Sequence, residues 1–156
     1  MTFSENGFLN FGDRIMMKCE ATSSHLACKI QNRIMGMQEG YVAIGSQSGD
    51  PTIRSVFVLE RGEKDFFTDN IIHYGQKLKL RINPRLTQKT LYLHSSHITP
   101  QKCATKSRKQ EISFMNDNSI NCVWEIEHLD PRVRFESYGV PVKRNEKVLL
   151  KHSFTS

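Results

Sequence analysis

The chain is short of every feature that would send it across or through a membrane. Its apolar runs, such as Ile15-Met16-Met17 and Val148-Leu149-Leu150, are far too brief for a spanning helix. The first residues, Met1-Thr2-Phe3-Ser4-Glu5-Asn6-Gly7, offer no basic segment leading into an apolar stretch, so no secretory signal is read there. Cysteine is sparse as well: Cys19, Cys28, Cys103 and Cys122 stand at unrelated spacings with no Cys-x-x-Cys pair. That pattern suits neither a zinc site nor a disulfide framework, and four reduced, mostly packed thiols in the cytosol or a space continuous with it are expected. Catalytic signatures are missing too. There is no Gly-x-Ser-x-Gly elbow, no His-Glu-x-x-His, and no glycine-rich loop followed by Lys-Ser or Lys-Thr. No set of residues assigns an acid, a base and a nucleophile, so the expectation is a protein that is not an enzyme and holds no cofactor or metal.

What remains is a chain of 156 residues with 22 Lys+Arg against 16 Asp+Glu, a net charge of +6. The length fits one domain with a substantial core. The positive surplus favours an acidic partner without choosing among nucleic acid, membrane and protein. Helical periodicity is weak throughout. Short β-rich runs bounded by Gly, Asn, Asp and Pro dominate: Tyr41-Val42-Ala43-Ile44, Val56-Phe57-Val58-Leu59, Leu91-Tyr92-Leu93, Glu111-Ile112-Ser113-Phe114 and Cys122-Val123-Trp124-Glu125-Ile126. Runs of this size separated by turn signals predict an all-β barrel or sandwich.

An internal repeat narrows that expectation. Phe11-Gly12-Asp13-Arg14-Ile15-Met16-Met17-Lys18 aligns with Tyr74-Gly75-Gln76-Lys77-Leu78-Lys79-Leu80-Arg81, and both align with Arg144-Asn145-Glu146-Lys147-Val148-Leu149-Leu150-Lys151. Gly or Asn supplies the positive φ of a tight turn, and the apolar residues two apart then share one face of a strand. The first two copies also agree downstream, in apolar strands that end at Glu60 and Glu127. Three units, at about 8–70, 71–138 and 139–156, predict a single β-trefoil-like domain whose third unit stops at Ser156, soon after its first strand. Such a barrel would keep unpaired edges and a partly open core.

Single residues carry less. His94-x-x-His97 reads as two polar residues in a turn after a strand, because two ligands alone do not define a metal site. Gly45-Ser46-Gln47-Ser48-Gly49-Asp50-Pro51 reads as an exposed turn. Glu125 and Glu127 alternate along one strand with Trp124 on the opposite face, which predicts a solvent side and a core side. Phe57, Tyr92, Trp124 and Phe135 fall within apolar runs and are expected in the core or in cross-strand packing. The clearest basic segment is Lys102-Cys103-Ala104-Thr105-Lys106-Ser107-Arg108-Lys109, placed on a loop between the second and third strands of the second unit. Lys102, Lys106, Arg108 and Lys109 are the candidate contact to an acidic surface. No aromatics are interleaved with them, which argues against nucleic acid.

Several longer stretches carry a family resemblance. Phe8-Leu9-Asn10-Phe11-Gly12-Asp13-Arg14-Ile15-Met16 is similar to the opening of MIR-type β-trefoil repeats. Further along come Ile72-His73-Tyr74-Gly75-Gln76, Lys89-Thr90-Leu91-Tyr92-Leu93-His94-Ser95-Ser96-His97 and Ile120-Asn121-Cys122-Val123-Trp124. Asp130-Pro131-Arg132-Val133-Arg134-Phe135-Glu136 and Gly139-Val140-Pro141-Val142 complete the series. In that order, across most of residues 8–152, they resemble the cilia- and flagella-associated protein 161 family. The resemblance implies a MIR-like β-trefoil and a non-enzymatic microtubule inner protein in the A-tubule lumen of axonemal doublets, binding α/β-tubulin and neighbouring inner proteins. It carries over no catalytic residues and no residue-level tubulin motif. Members have an extension before the first unit and a part completing the third, and contacts made by those parts are not implied here. The alternative reading is a MIR-like or lectin-like β-trefoil module for a glycan or acidic ligand.

Overall fold

A computed structural model of the chain describes residues 5–33, 40–86, 88–97 and 112–155. Among these residues the architecture is all-β, with a single antiparallel sheet of ten strands. The strands are β1 (Arg14–Ile15), β2 (Lys18–Cys19), β3 (Ser24–Arg33), β4 (Gly40–Ser46), β5 (Phe57–Arg61), β6 (Lys77–Ile82), β7 (Tyr92–Ser95), β8 (Ile112–Met115), β9 (Trp124–His128) and β10 (Val148–His152). A 3₁₀ turn at Ile120–Cys122 and one short helix, α1 (Arg134–Ser137), are the helical elements described.

The repeated motif folds as its residue types require. Gly12, Gly75 and Asn145 all sit at positive φ, at 91°, 83° and 59°. Each turn leads into a strand whose apolar residues face inward. In β6 the alternation is complete: Leu78, Leu80 and Ile82 are fully buried while Lys77, Lys79 and Arg81 lie on the other face. The segments before the three turns meet one another. Leu9 N–H donates to Val142 O (2.9 Å), Val142 N–H to Ile72 O (2.9 Å), and Ile72 N–H to Leu9 O (2.8 Å). Two residues along, Phe11 donates to Asn70 O, Tyr74 to Val140 O and Arg144 to Gly7 O, at 2.9, 2.9 and 3.0 Å. Equivalent positions of the three copies are thus joined in a closed cycle of backbone hydrogen bonds. Those amides are satisfied without a continuous strand.

From this cycle the strands rise in the order β1, β5, β6, β9, β10, each antiparallel to the next. The longer hairpin of β3 and β4 and the pair β7 and β8 join through β4 and β8. Phe57, Leu59, Leu78, Leu80, Leu93, Phe114, Trp124 and Ile126 fill the space enclosed, with Phe57 stacked on Phe114 at 5.5 Å. Cys28 and Cys122 are buried thiols and Cys19 is exposed.

Three expectations need correction. Glu125 is not on a solvent face: it is 5% exposed, ion-paired to Lys77, and accepts from Ser153 Oγ at 3.2 Å. The hydroxyl and ammonium supply the partners that make its burial tolerable. Phe135 is not core: Arg134–Ser137 coils into a helical turn with no buried residue, and Phe135 is 91% exposed. Gly45 and Ser46 belong to β4, so the expected loop begins only after them. A Cβ on Gly45 would come within 2.7 Å of Ser24 Oγ, which gives that glycine a packing reason.

Candidate binding groove

Every inner strand of the run β1, β5, β6, β9, β10 has a neighbour on each side, but its two ends do not pair with each other. Between them lies a groove of about 540 Å³. One wall is built by Met17, Lys18, Cys19 and Leu26, with Ala43 and Gly45 behind them, and the other by Val148 and Leu150 of β10. Leu93, Ile112 and Trp124 also line it. A smaller hollow of about 320 Å³, bounded by Ser95, Lys151, His152 and Thr155, shares Ile112, Trp124 and Leu150 with it.

Trp124 is held rigidly. Its Nε1–H donates to Leu93 O at 2.9 Å, and its ring meets the His152 ring edge-on at 4.7 Å. His152 is fixed in turn. Its Nε2 lies 2.9 Å from Asn121 O, a pure acceptor, so Nε2 carries the proton; Nδ1 then accepts from Thr155 Oγ1 at 2.7 Å. The rim is basic on its outer face. Lys18 is exposed, Lys147 reaches Glu20 at 2.6 Å, and Lys151 reaches Glu127 at 3.5 Å. No carboxylate lines either hollow among the described residues. An apolar trough between strand edges can bury apolar side chains and hydrogen-bond a polypeptide backbone.

The sequence-predicted site residues fall elsewhere. Lys102, Lys106, Arg108 and Lys109 belong to the stretch joining β7 to β8 and lie outside the described residues. His94 is a buried member of β7, not of a turn, with Nε2 3.2 Å from Asp117 Oδ2; His97 lies edge-on to Phe154 at 4.9 Å. A second exposed surface was not read from sequence. Phe67 stacks on His73 at 3.9 Å and the Tyr138 ring covers Gly75, while Phe66 and Phe135 project fully into solvent. The groove itself had one signal in the sequence: the third copy of the repeat, whose Val148 and Leu150 form one of its walls.

The fold and groove define an all-β scaffold that presents strand edges and apolar surface. Residues 22–156 match the family model described as cilia- and flagella-associated protein 161-like domain. The chain is 31% identical to cilia- and flagella-associated protein 161 of Danio rerio over 175 aligned residues, 28% to that of Mus musculus and 26% to that of Bos taurus. All of this chain is covered, against 57%, 57% and 53% of those relatives, so it spans little more than half their length. The chain belongs to the cilia- and flagella-associated protein 161 family. A solved Caenorhabditis elegans protein of unknown function shares the fold, with a TM-score of 0.72 at 17% identity, covering 98% of this chain and 78% of that one.

Proposed function

We propose that the chain is a non-enzymatic structural protein of the ciliary and flagellar axoneme. In this reading it is a β-trefoil-like, MIR-like module in the lumen of the A-tubule, bound to α/β-tubulin and to other microtubule inner proteins, which supports the doublet during beating. Family membership carries the reading. The cycle of hydrogen bonds through Leu9, Ile72 and Val142 supports three pseudo-equivalent units, as a trefoil has. The net charge of +6 suits a mildly acidic polymer.

The test is retention on purified axonemal doublets. The chain is expected to co-sediment with them and to resist a moderate salt wash. Charge reversal of Lys106, Arg108 and Lys109 together to Glu is expected to lower occupancy several-fold, because surface cations steer association to an acidic lattice. Release at low salt combined with retention on a glycan column would sink the microtubule reading. Unchanged occupancy of the triple variant would remove the basic segment from the interface.

A further inference from the structure

The segment that leaves β9 reads Arg132-Val133-Arg134-Phe135-Glu136-Ser137-Tyr138. Ser137 is the one serine or threonine of the chain with arginine both three and five residues before it. Arginines at those two places, followed by an aromatic ring directly after the hydroxyl, are what a basophilic serine kinase reads. Its carboxylate-lined pockets take the two planar guanidiniums, and an apolar one takes the ring.

The segment is displayed, not packed. Residues Arg134–Ser137 make a single helical turn, α1, with no buried residue. Arg132 has 88% of its side chain in solvent, and its 3.0 Å ion pair with Asp130 is local and weak. Arg134 is held more firmly: its Nε donates to His128 O at 3.1 Å and meets Glu127 at 3.3 Å. Phe135 and Tyr138 are both exposed. Ser137 is half-buried, with Oγ donating to Val133 O at 2.8 Å beside its own amide, which donates to the same carbonyl at 2.9 Å. Drawing these seven residues out into an extended strand breaks one helical turn and uncovers no buried side chain. Such an opening lies at the low end of local unfolding costs.

We propose that Ser137 is a phosphorylation site for a basophilic serine kinase using MgATP. Ser137 Oγ attacks the γ-phosphorus; the Oγ–P bond forms as the bond to the β,γ-bridging oxygen breaks. ADP leaves, and the hydroxyl proton passes to the kinase's base. The product phosphate is largely a dianion with no hydrogen to give Val133 O. It also stands beside the carbonyls that end α1, where negative charge is unfavourable, and it competes with Glu127 for Arg134. The turn α1 therefore opens on modification, next to the Tyr138 ring that covers Gly75. The inference goes beyond the axonemal reading and does not depend on it.

The experiment incubates the whole chain with MgATP and the catalytic domain of a serine kinase that selects arginine three and five residues before its acceptor. Fragment mass spectrometry then locates the phosphate. One phosphate at Ser137 is expected, and none there in Ser137→Ala. Arg132→Ala, altered only at an exposed side chain, should lower kcat/KM about tenfold through loss of one charged contact. The folded chain should react no more than about 100-fold slower than the capped peptide DPRVRFESYGV, because only one exposed turn must open. Hydrogen exchange at the Ser137 amide should quicken about tenfold once the phosphate is on. Phosphate placed on Ser107 of the basic segment instead, or full activity on Arg132→Ala, would overturn the proposal. So would a chain that reacts more slowly than that limit, since modification would then need the unfolded state. An unchanged exchange rate in the phosphorylated chain would refute the opening of α1.

Discussion

Gly12 and Gly75 have the same backbone conformation but different surroundings, and that difference separates two costs usually measured together. A Cβ on Gly12 would meet nothing within 4 Å, whereas one on Gly75 would come within 2.2 Å of the Tyr138 ring. Gly12→Ala therefore incurs only the left-handed backbone penalty, about 1–2 kcal/mol. Gly75→Ala adds displacement of a ring that covers the turn and is expected to cost about 3 kcal/mol or more. Urea unfolding of the two variants checks this, and equal midpoints would show that Tyr138 swings away freely. The third position, Asn145, already tolerates φ 59° and should accept Gly with little change.

Among the elements, β9 is the most demanding, because it buries a carboxylate between two core side chains. Removing Lys77 would leave Glu125 without its cation. Lys77→Met is expected to destabilise by about 2–4 kcal/mol, somewhat under the cost for a fully buried pair because Lys77 is 28% exposed. Pairing it with Glu125→Leu should recover most of that loss, and a double-mutant cycle measures how much. If the single variant is as stable as the parent, the pair contributes nothing. The same elements show how far the sequence can be read. β6 was plain because Leu, Leu and Ile alternate with bases, and the turns at Gly12, Gly75 and Asn145 were plain because few other residues reach positive φ. The longest strand, β3, was not, since Ser24–Arg33 mixes Ala, Cys, Lys, Gln and Asn and is fixed by pairing with β4 instead of by local propensity. Glu125 obeyed the strand period, yet Lys77 and Ser153, far off in the chain, decided its burial. Phe135 was expected in a packed run, but Asp130-Pro131 just before it is a turn signal, and Asp130 Oδ1 accepts from Arg132 N–H at 3.0 Å, so the segment coils instead of extending. For the groove, the repeat marked Val148 and Leu150 as strand residues, but only the pairing pattern showed that β1 and β10 do not pair with each other.

At the scale of the whole molecule, stability is tied to keeping several buried acids protonated. Burial pushes Cys28 up to about 11 and Cys122 up to about 12, with the Asp117 charge adding to the latter. Tyr74 rises to about 12, through burial first and the nearby Glu146 carboxylate second. In the unfolded chain these groups ionise near their ordinary values of about 9 and 10. Between those values and the raised ones the native state holds more protons, so stability falls as pH rises through that interval. It should be fully present below about pH 9 and decline steadily toward pH 12. Denaturant midpoints across this range test the expectation, and Tyr74→Phe should flatten the upper part. A flat profile would mean that the phenol and thiols reach water in the native state.

The hydrogen-bond cycle through Leu9, Ile72 and Val142 has a consequence in time as well as in space. Each of its three bonds joins residues drawn from different thirds of the chain, so none can form as a local event. During synthesis, Leu9 waits for Val142, which leaves the ribosome long after it. The first two repeats emerge long before the third arrives to close the base. Closure is therefore a late, long-range step, and the nascent protein carries exposed strand edges until then, which is where a chaperone would find its hold.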